Sequence, residues 1–295
     1  MDIRYLESLI NVAELGSIAS AARAQNLTPA AVGQRIALLE QHFGTALLNR
    51  DAHRAMPTEA CLDLLPEARN IVETFYRMGS SVDSAGLAGR FHLGSISTAL
   101  TGLLPGAIRQ LAQAAPKLVL QIKPGTSNSL FADLSERRID AALIVLPPYA
   151  LPRSYHAELL REEPLVLLSN GARGRTSREK LTQNPYICYD SQSWGGLKAF
   201  QYLKDRKLRV EPDYELDALE AIEKLVLQGM GVSLVPRWVG LDLERPGLDV
   251  EIIRNRRYSR RLVLVTPRNS AHGAVIEALL QALKTSGGDL IGTHK

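Results

Sequence analysis

The side chains best placed to do chemistry in this sequence are hydrogen-bond donors and acceptors rather than nucleophiles. Thr28, Ala30, Gln34 and Arg35 remain on the outer face of a helix whose inward stripe is Val32, Ile36 and Leu39. A glutamine can pair bidentately with an adenine edge and a threonine hydroxyl can bond a phosphate, so this face suits a DNA major groove. The plain alternative is a solvated helix surface. Arg50 and Arg54, in a turn read from Asn49 to Met56, suit a phosphate or a narrow minor groove, while His53 fills the turn. A second constellation lies downstream. Thr98, beside Ser97, follows a strand and opens a helix, where free N–H groups favour an anion such as a carboxylate; a simple helix cap competes with that reading. Thr126, Ser127 and Asn128 follow the next strand and face the same crevice. Ser191, Ser193 and Trp194 stand at another helix start, and Trp194 would be equally at home in a core.

Other chemistries find little support. No nucleophile–base pair, His-Glu-(x2)-His or phosphate loop is evident, so no enzyme, cofactor or metal site is expected. Gly229-Met230-Gly231 lacks a third glycine and precedes a strand, the wrong context for a dinucleotide. Asn26-Leu27-Thr28 matches a glycosylation sequon that a cytosolic protein would not use. Cys61 and Cys188 form no metal-ligand spacing and read as unpaired thiols. The net charge of +4 would suggest affinity for DNA, yet within residues 1 to 60 five arginines are outnumbered by six carboxylates. A DNA-binding head would therefore act through a local stripe and as an oligomer, because phosphate neutralisation carries much of the affinity. The basic excess sits later, in Arg254, Arg256, Arg257, Arg260 and Arg261, and reads as a solvated face or an assembly surface without a ligand. No apolar run is long enough to span a bilayer, and Met1–Tyr5 opens directly into an amphipathic pattern without a signal-peptide core, so a cytoplasmic location is expected.

Three helices must position the first constellation. Leu6, Leu9, Ile10 and Ala13 share one face of the first; Gly16 ends it and Ser17 can cap the second. Ala21 and Ala22 allow close packing at the corner, and Thr28-Pro29 is an explicit start signal for the third. Such a helix-turn-helix can lay its second helix in the major groove. Ala46–Leu48 reads as a short strand, completing a winged helix-turn-helix. A long helix then runs from Thr58 to about Val82. Leu64, Ala68, Ile71, Phe75, Met78 and Val82 recur at spacings of 4, 3, 4, 3 and 4, a seam for a partner helix, unless the helix packs on its own domain. Pro66 should bend or weaken it, and the small residues from Ser80 to Gly89 read as a hinge.

From Phe91 the pattern turns to strand–helix–strand. Strands are expected near 92–96, 118–122 and 141–146, with helices near 104–114 and 130–137. A second unit starts near Pro164 with a strand at 165–168, and a strand at 261–266 returns to the first unit before a closing helix at 274–284. The fold class is thus α/β, with two lobes joined by two crossings and a cleft between them. The reading is residues 1–58 for the winged head, 59–88 for the linker helix and hinge, and 89–295 for the two lobes: lobe I at about 89–162 and 267–295, lobe II at about 163–266.

Taken together, these residues resemble the LysR-type transcriptional regulators. The resemblance rests on Gly16-Ser17-(x3)-Ala21-Ala22, Leu27-Thr28-Pro29-Ala30-Ala31-Val32, Gln34-Arg35-Ile36, Leu39-Glu40 and Phe43-Gly44. It continues through Leu47-Leu48-Asn49-Arg50, Pro57-Thr58-Glu59-Ala60, Leu103-Leu104-Pro105, Gly125-Thr126 and Gln228-Gly229-Met230-Gly231-Val232. Their order and spacing carry it across nearly the whole chain. The chain departs at Gly33, where relatives often carry a DNA-facing serine, at Cys61, and at Ile96 and Ser97. The resemblance implies two periplasmic-binding-protein-like lobes around a small-molecule inducer, homodimers through the linker helix that usually form tetramers, and activation or repression at a promoter of double-stranded DNA. RNA polymerase would be a partner of an activator. The competing readings are a solute-binding protein, which leaves residues 1–88 unexplained, and an enzyme on the two-lobed fold.

Overall fold

The computed structural model describes residues 2–51, 54–80, 86–174 and 176–286, leaving aside the side chains of 50, 51, 54, 73 and 76–80. The expected position of His53 therefore lies outside the described residues, as do the side chains of Arg50, Arg54 and Met78 and residues 81–85 of the expected 80–89 hinge. The chain divides into two compact units, a head ending at Gly89 and a larger unit built mainly from the residues after it.

The head begins with α1 (Ile3–Leu15), α2 (Ile18–Ala24) and α3 (Pro29–Phe43). Each boundary has a local cause. Gly16 closes α1 at φ 69°, a conformation that costs a glycine little. The Ser17 hydroxyl accepts from the Ser20 N–H, and Thr28 Oγ1 accepts from Ala31 N at 3.2 Å. Between the last two helices Asn26 takes the left-handed conformation at φ 54°. Leu6, Leu9 and Val12 of α1, Ala21 and Ala22 of α2, and Val32, Ile36 and Leu39 of α3 form one core. The wing is a hairpin rather than a strand and a turn: β1 (Leu48–Asp51) pairs antiparallel with β2 (Arg54–Pro57). Glu40 ties α3 to it, accepting from Leu47 N at 2.9 Å and Leu48 N at 3.2 Å.

Thr58 caps α4 (Glu59–Ser80) by accepting from Cys61 N, and the helix runs on through Pro66. The expected partner seam splits. Ala68 is buried in the head's own core and Leu64 packs against it, together with Leu65. Their proximity to α1 decides this, since the first turns of α4 cover the three-helix core. Ile71 and Phe75, farther along, are 47% and 51% exposed.

The larger unit opens with β3 (Gly89–Ser95), α5 (Ser97–Gly102), α6 (Leu104–Ala114), β4 (Leu118–Pro124), α7 (Ser127–Ser135), β5 (Ala141–Val145) and β6 (Tyr155–Glu163). Across Pro164 come β7 (Leu165–Ser169), α8 (Ser177–Gln183), β8 (Ile187–Tyr189), α9 (Leu197–Asp205), β9 (Tyr214–Leu216), α10 (Leu219–Leu227), β10 (Ser233–Pro236) and β11 (Asp249–Ile252). The chain then returns in β12 (Arg260–Pro267) and ends in α11 (Gly273–Ser286). Lobe I carries a five-stranded sheet, β4-β3-β5-β12-β6, in which β3 and β5 run parallel and β12 runs antiparallel to both neighbours. Lobe II carries an antiparallel sheet, β10-β7-β11, and a parallel pair, β8-β9. β5 and β7 are buried along their whole length, as their uninterrupted apolar runs require. Because β12 belongs to the first sheet, the second crossing lies at 253–259, ahead of the 266/267 boundary read from the sequence.

Candidate DNA-reading face and effector cleft

On α3 the residues expected to face DNA do not behave alike. Thr28, Ala30 and Gln34 are exposed. Arg35 is partly committed within the head: its Nη1 donates to Ser8 Oγ at 3.0 Å, Gln25 Oε1 at 3.3 Å and the Arg4 carbonyl at 3.4 Å. Ser8 in turn donates to Gln25 Oε1 at 2.8 Å, so Arg35 joins α3 to α1 and α2. The helical period places residue 35 one step towards Ile36 and Leu39, which explains why it faces inward. Arg50 and Arg54 are on the paired strands of the wing, in ladder with Ala55 and Asp51.

The crevice between lobes I and II holds a cavity of about 270 Å³. Five expected residues line it: Ser97, Thr98, Thr126, Ser127 and Ser193. Three do not. Asn128 is exposed outside it. Ser191 is held by Glu215, to which both its N–H and its hydroxyl donate, at 3.0 and 2.9 Å. Trp194 belongs to an aromatic cluster, 6.3 Å from the Phe131 ring and 5.8 Å from that of Tyr149. Its indole alternates with Ser193 in direction, so one faces the cavity and the other packs.

Within the lining, three residues are fixed by hydrogen bonds to the surrounding protein. Ser127 Oγ accepts from Val145 N at 3.1 Å, tying the start of α7 to the end of β5. Thr126 and Ser129 cap each other, with Ser129 N donating to Thr126 Oγ1 and Thr126 N to Ser129 Oγ. Ser193 caps the turn before α9, its hydroxyl donating to the Asp190 carbonyl and accepting from Gly196 N. Lobe II adds Tyr189, Gly195, Asp217 and Leu219, which the sequence did not single out. Burial pushes the Tyr189 phenol above its ordinary value. Asp217 is also raised, by partial burial first and by the neighbouring Asp190 second, while Arg260 works in the opposite direction.

Arg260 is the largest departure from the sequence reading. It is 1% exposed, whereas Arg254, Arg256, Arg257 and Arg261 are on the surface as expected. Its Nε donates to Glu163, also 1% exposed, at 2.5 Å, and its Nη2 donates to Thr98 Oγ1 at 3.1 Å. The reason is topological. Arg260 opens β12 and Glu163 closes β6, and the two are paired in the ladder exactly where both crossings leave lobe I. Nη1 of Arg260 finds no hydrogen-bond partner among the described residues. Alternation along a strand, with Arg260 inward and Arg261 outward, was the available signal, but only for a strand whose start was already known.

The two thiols are separate from both sites. Burial pushes the Cys61 thiol up to about 11 and the Cys188 thiol up to about 11. Among the described residues there is no cluster of metal-ligating side chains and no helix long and apolar enough to cross a membrane.

Comparison with known proteins covers both units. Residues 3–62 match the bacterial regulatory helix-turn-helix proteins of the lysR family, and residues 84–288 match the LysR substrate binding domain. The chain is 28% identical over 272 residues to a probable hydrogen peroxide-inducible genes activator of Mycobacterium avium, covering 89% of this chain and 87% of that protein. It is 29% identical over 226 residues to the HTH-type transcriptional regulator YofA of Bacillus velezensis, covering 76% and 77%. Among solved structures, a full-length OxyR variant of Pseudomonas aeruginosa superimposes with a TM-score of 0.74 at 20% identity, covering 96% of this chain and 95% of that one. Full-length CbnR complexed with its target DNA gives 0.65 at 17% identity, covering 97% and 100%. At those identities the structures speak for the fold.

Proposed function

We propose that this chain, which belongs to the LysR family of DNA-binding transcriptional regulators, is switched by a small polar molecule held in the cleft between its two lobes. The cavity carries the reading: it is walled by hydroxyls of lobe I and by Tyr189, Ser193 and Asp217 of lobe II, so an occupant touches both lobes at once. A ligand shifts a conformational equilibrium only by its difference in affinity for the two states, and a molecule bridging two lobes has such a difference. Thr98 is the natural contact for an acceptor group such as a carboxylate. Its oxygen already accepts from Arg260, which leaves its own proton to donate.

On the DNA side we assign Thr28, Ala30 and Gln34 to the major groove, with Arg50 and Arg54 at the backbone or minor groove. Ile71 and Phe75, with Met78, supply the apolar face through which two chains pair. We assign the protein to the cytoplasm, where a DNA-binding regulator would meet its target.

The peroxide named for several relatives finds no obvious receptor here. Thiol-based sensing requires a thiolate, and the environments of Cys61 and Cys188 favour the protonated thiol. A ligand in the cleft fits this chain better.

The test is footprinting of the purified protein on the DNA upstream of its own gene, with and without the low-mass fraction of a cell extract. Wild type should show a protected site whose extent changes with the fraction. Ser97→Trp, which fills the cavity from an exposed position, should lose that change, with circular dichroism run in parallel to check folding. An unaltered response in the variant would remove the cleft as the sensing site; absence of any sequence-preferring footprint would remove the regulator reading.

A further inference from the structure

The cleft has an electrical polarity. Among the described residues that line it, Asp217 is the only one whose side chain carries a formal charge at neutral pH. Among the described residues no hydrogen bond or ion pair neutralises it, and Asp190 stands close enough to add to the negative potential. An anion with no positive group would be repelled by that carboxylate, which the buried Arg260 offsets only in part.

Lobe I offers a donor. The Thr98 proton is free to point outward, as its oxygen is engaged by Arg260 Nη2. Behind it stands Arg260, on a side chain 1% exposed, whose Nη1 lies against Gly195, itself a lining residue, with the Tyr189 phenol close enough to interact with the guanidinium. A Cβ at position 195 would lie 3.4 Å from that nitrogen and 2.9 Å from the Tyr189 ring, so a glycine here lets both stand directly behind this wall. The guanidinium thus adds positive potential behind the Thr98 hydroxyl, which its Nη2 already contacts. The volume of about 270 Å³ is just below the usual range for ligand pockets and suits a small molecule.

Resting on the cleft reading above, we infer that the molecule sensed is a small zwitterion, an amino acid or an amino acid derivative that keeps its amine. Its ammonium sits at Asp217 and its carboxylate at the Thr98 hydroxyl, with the positive charge of Arg260 behind that hydroxyl. The ligand then joins lobe II to lobe I through two ends of opposite charge. A carboxylate alone would hold only one of them.

The experiment is isothermal titration of the full-length protein with each standard amino acid. The amino acid that binds most tightly is followed by its des-amino carboxylate and its decarboxylated amine. Each truncated analogue should bind about tenfold more weakly or worse, the loss expected for one charge-assisted hydrogen bond. Asp217→Asn should weaken the amino acid by a similar factor and leave the already weak des-amino carboxylate little changed. A des-amino carboxylate that binds wild type as tightly as its amino acid would overturn the zwitterion while leaving the cleft reading in place, provided that Ser97→Trp abolishes its binding. Wild-type affinity in Asp217→Asn, or no saturable binding of any amino acid, would also overturn it. The footprinting response to cell extract then decides separately whether the cleft senses anything.

Discussion

Replacing Glu163 by glutamine tests the least expected feature of the effector unit. The substitution keeps the shape of the side chain and a carbonyl acceptor for Arg260 Nε, but removes the charge opposite a guanidinium that is 1% exposed. Arg161, with Nε 3.9 Å from the same carboxylate, loses part of its counter-charge as well. Breaking a buried pair by neutralising one partner costs about 3–5 kcal/mol, because the survivor is left desolvated. With a shift of roughly 2–4 °C per kcal/mol for a unit of this size, the effector unit should melt roughly 6–20 °C lower. Circular dichroism of the full-length protein, following the transition of the larger unit, reads the change. The reciprocal experiment separates charge from packing. Glu163→Leu combined with Arg260→Met removes both ions, and buried pairs so replaced are often neutral in stability, so the double variant should return to within about 2 kcal/mol of wild type. A single substitution costing less than about 1 kcal/mol would mean that water reaches the pair and would refute its description as a buried strut.

Neighbouring residues of α3 should part company. Arg35→Ala should destabilise the head by about 1 kcal/mol through loss of its ties to Ser8 and Gln25, whereas Gln34→Ala should leave the melting curve alone and relax preference at one base position by roughly 1–3 kcal/mol in competition binding. The opposite assignment would follow if Arg35→Ala altered base preference without loss of stability. Phe75→Asp, at a site 51% exposed, should convert the oligomer to monomer in sedimentation velocity; a mutant that sediments as wild type would place the pairing face elsewhere. Stability should also depend on pH through His92, whose pKa is raised from 6.5 chiefly by its hydrogen bond with Asp140. A raised folded value means that this stabilisation is complete below about pH 6.5 and is lost as pH climbs through the folded value, so His92→Ala should flatten that part of the stability profile.

The sequence by itself determined the local elements and the family. Thr28-Pro29, Gly16 and Ser17 fix helix ends through hydrogen bonds that span three or four residues, and those survive any tertiary context. The period of Val32, Ile36 and Leu39 marked the buried stripe, and the apolar runs of β5 and β7 marked strands covered on both faces. Tertiary structure decided what depends on distant partners. The 49–56 segment became a hairpin because its two strands pair with each other, and Ala68 left the partner seam because the head core reached it first. Arg260 could not be told from its exposed neighbours until β12 was laid against β6 and Glu163, 97 residues earlier, came opposite it. Burial of a charge depends on where its counter-ion lies in space. Nothing in the one-dimensional spacing records that distance, and so the floor of the cleft emerged only from the ladder that closes the first sheet.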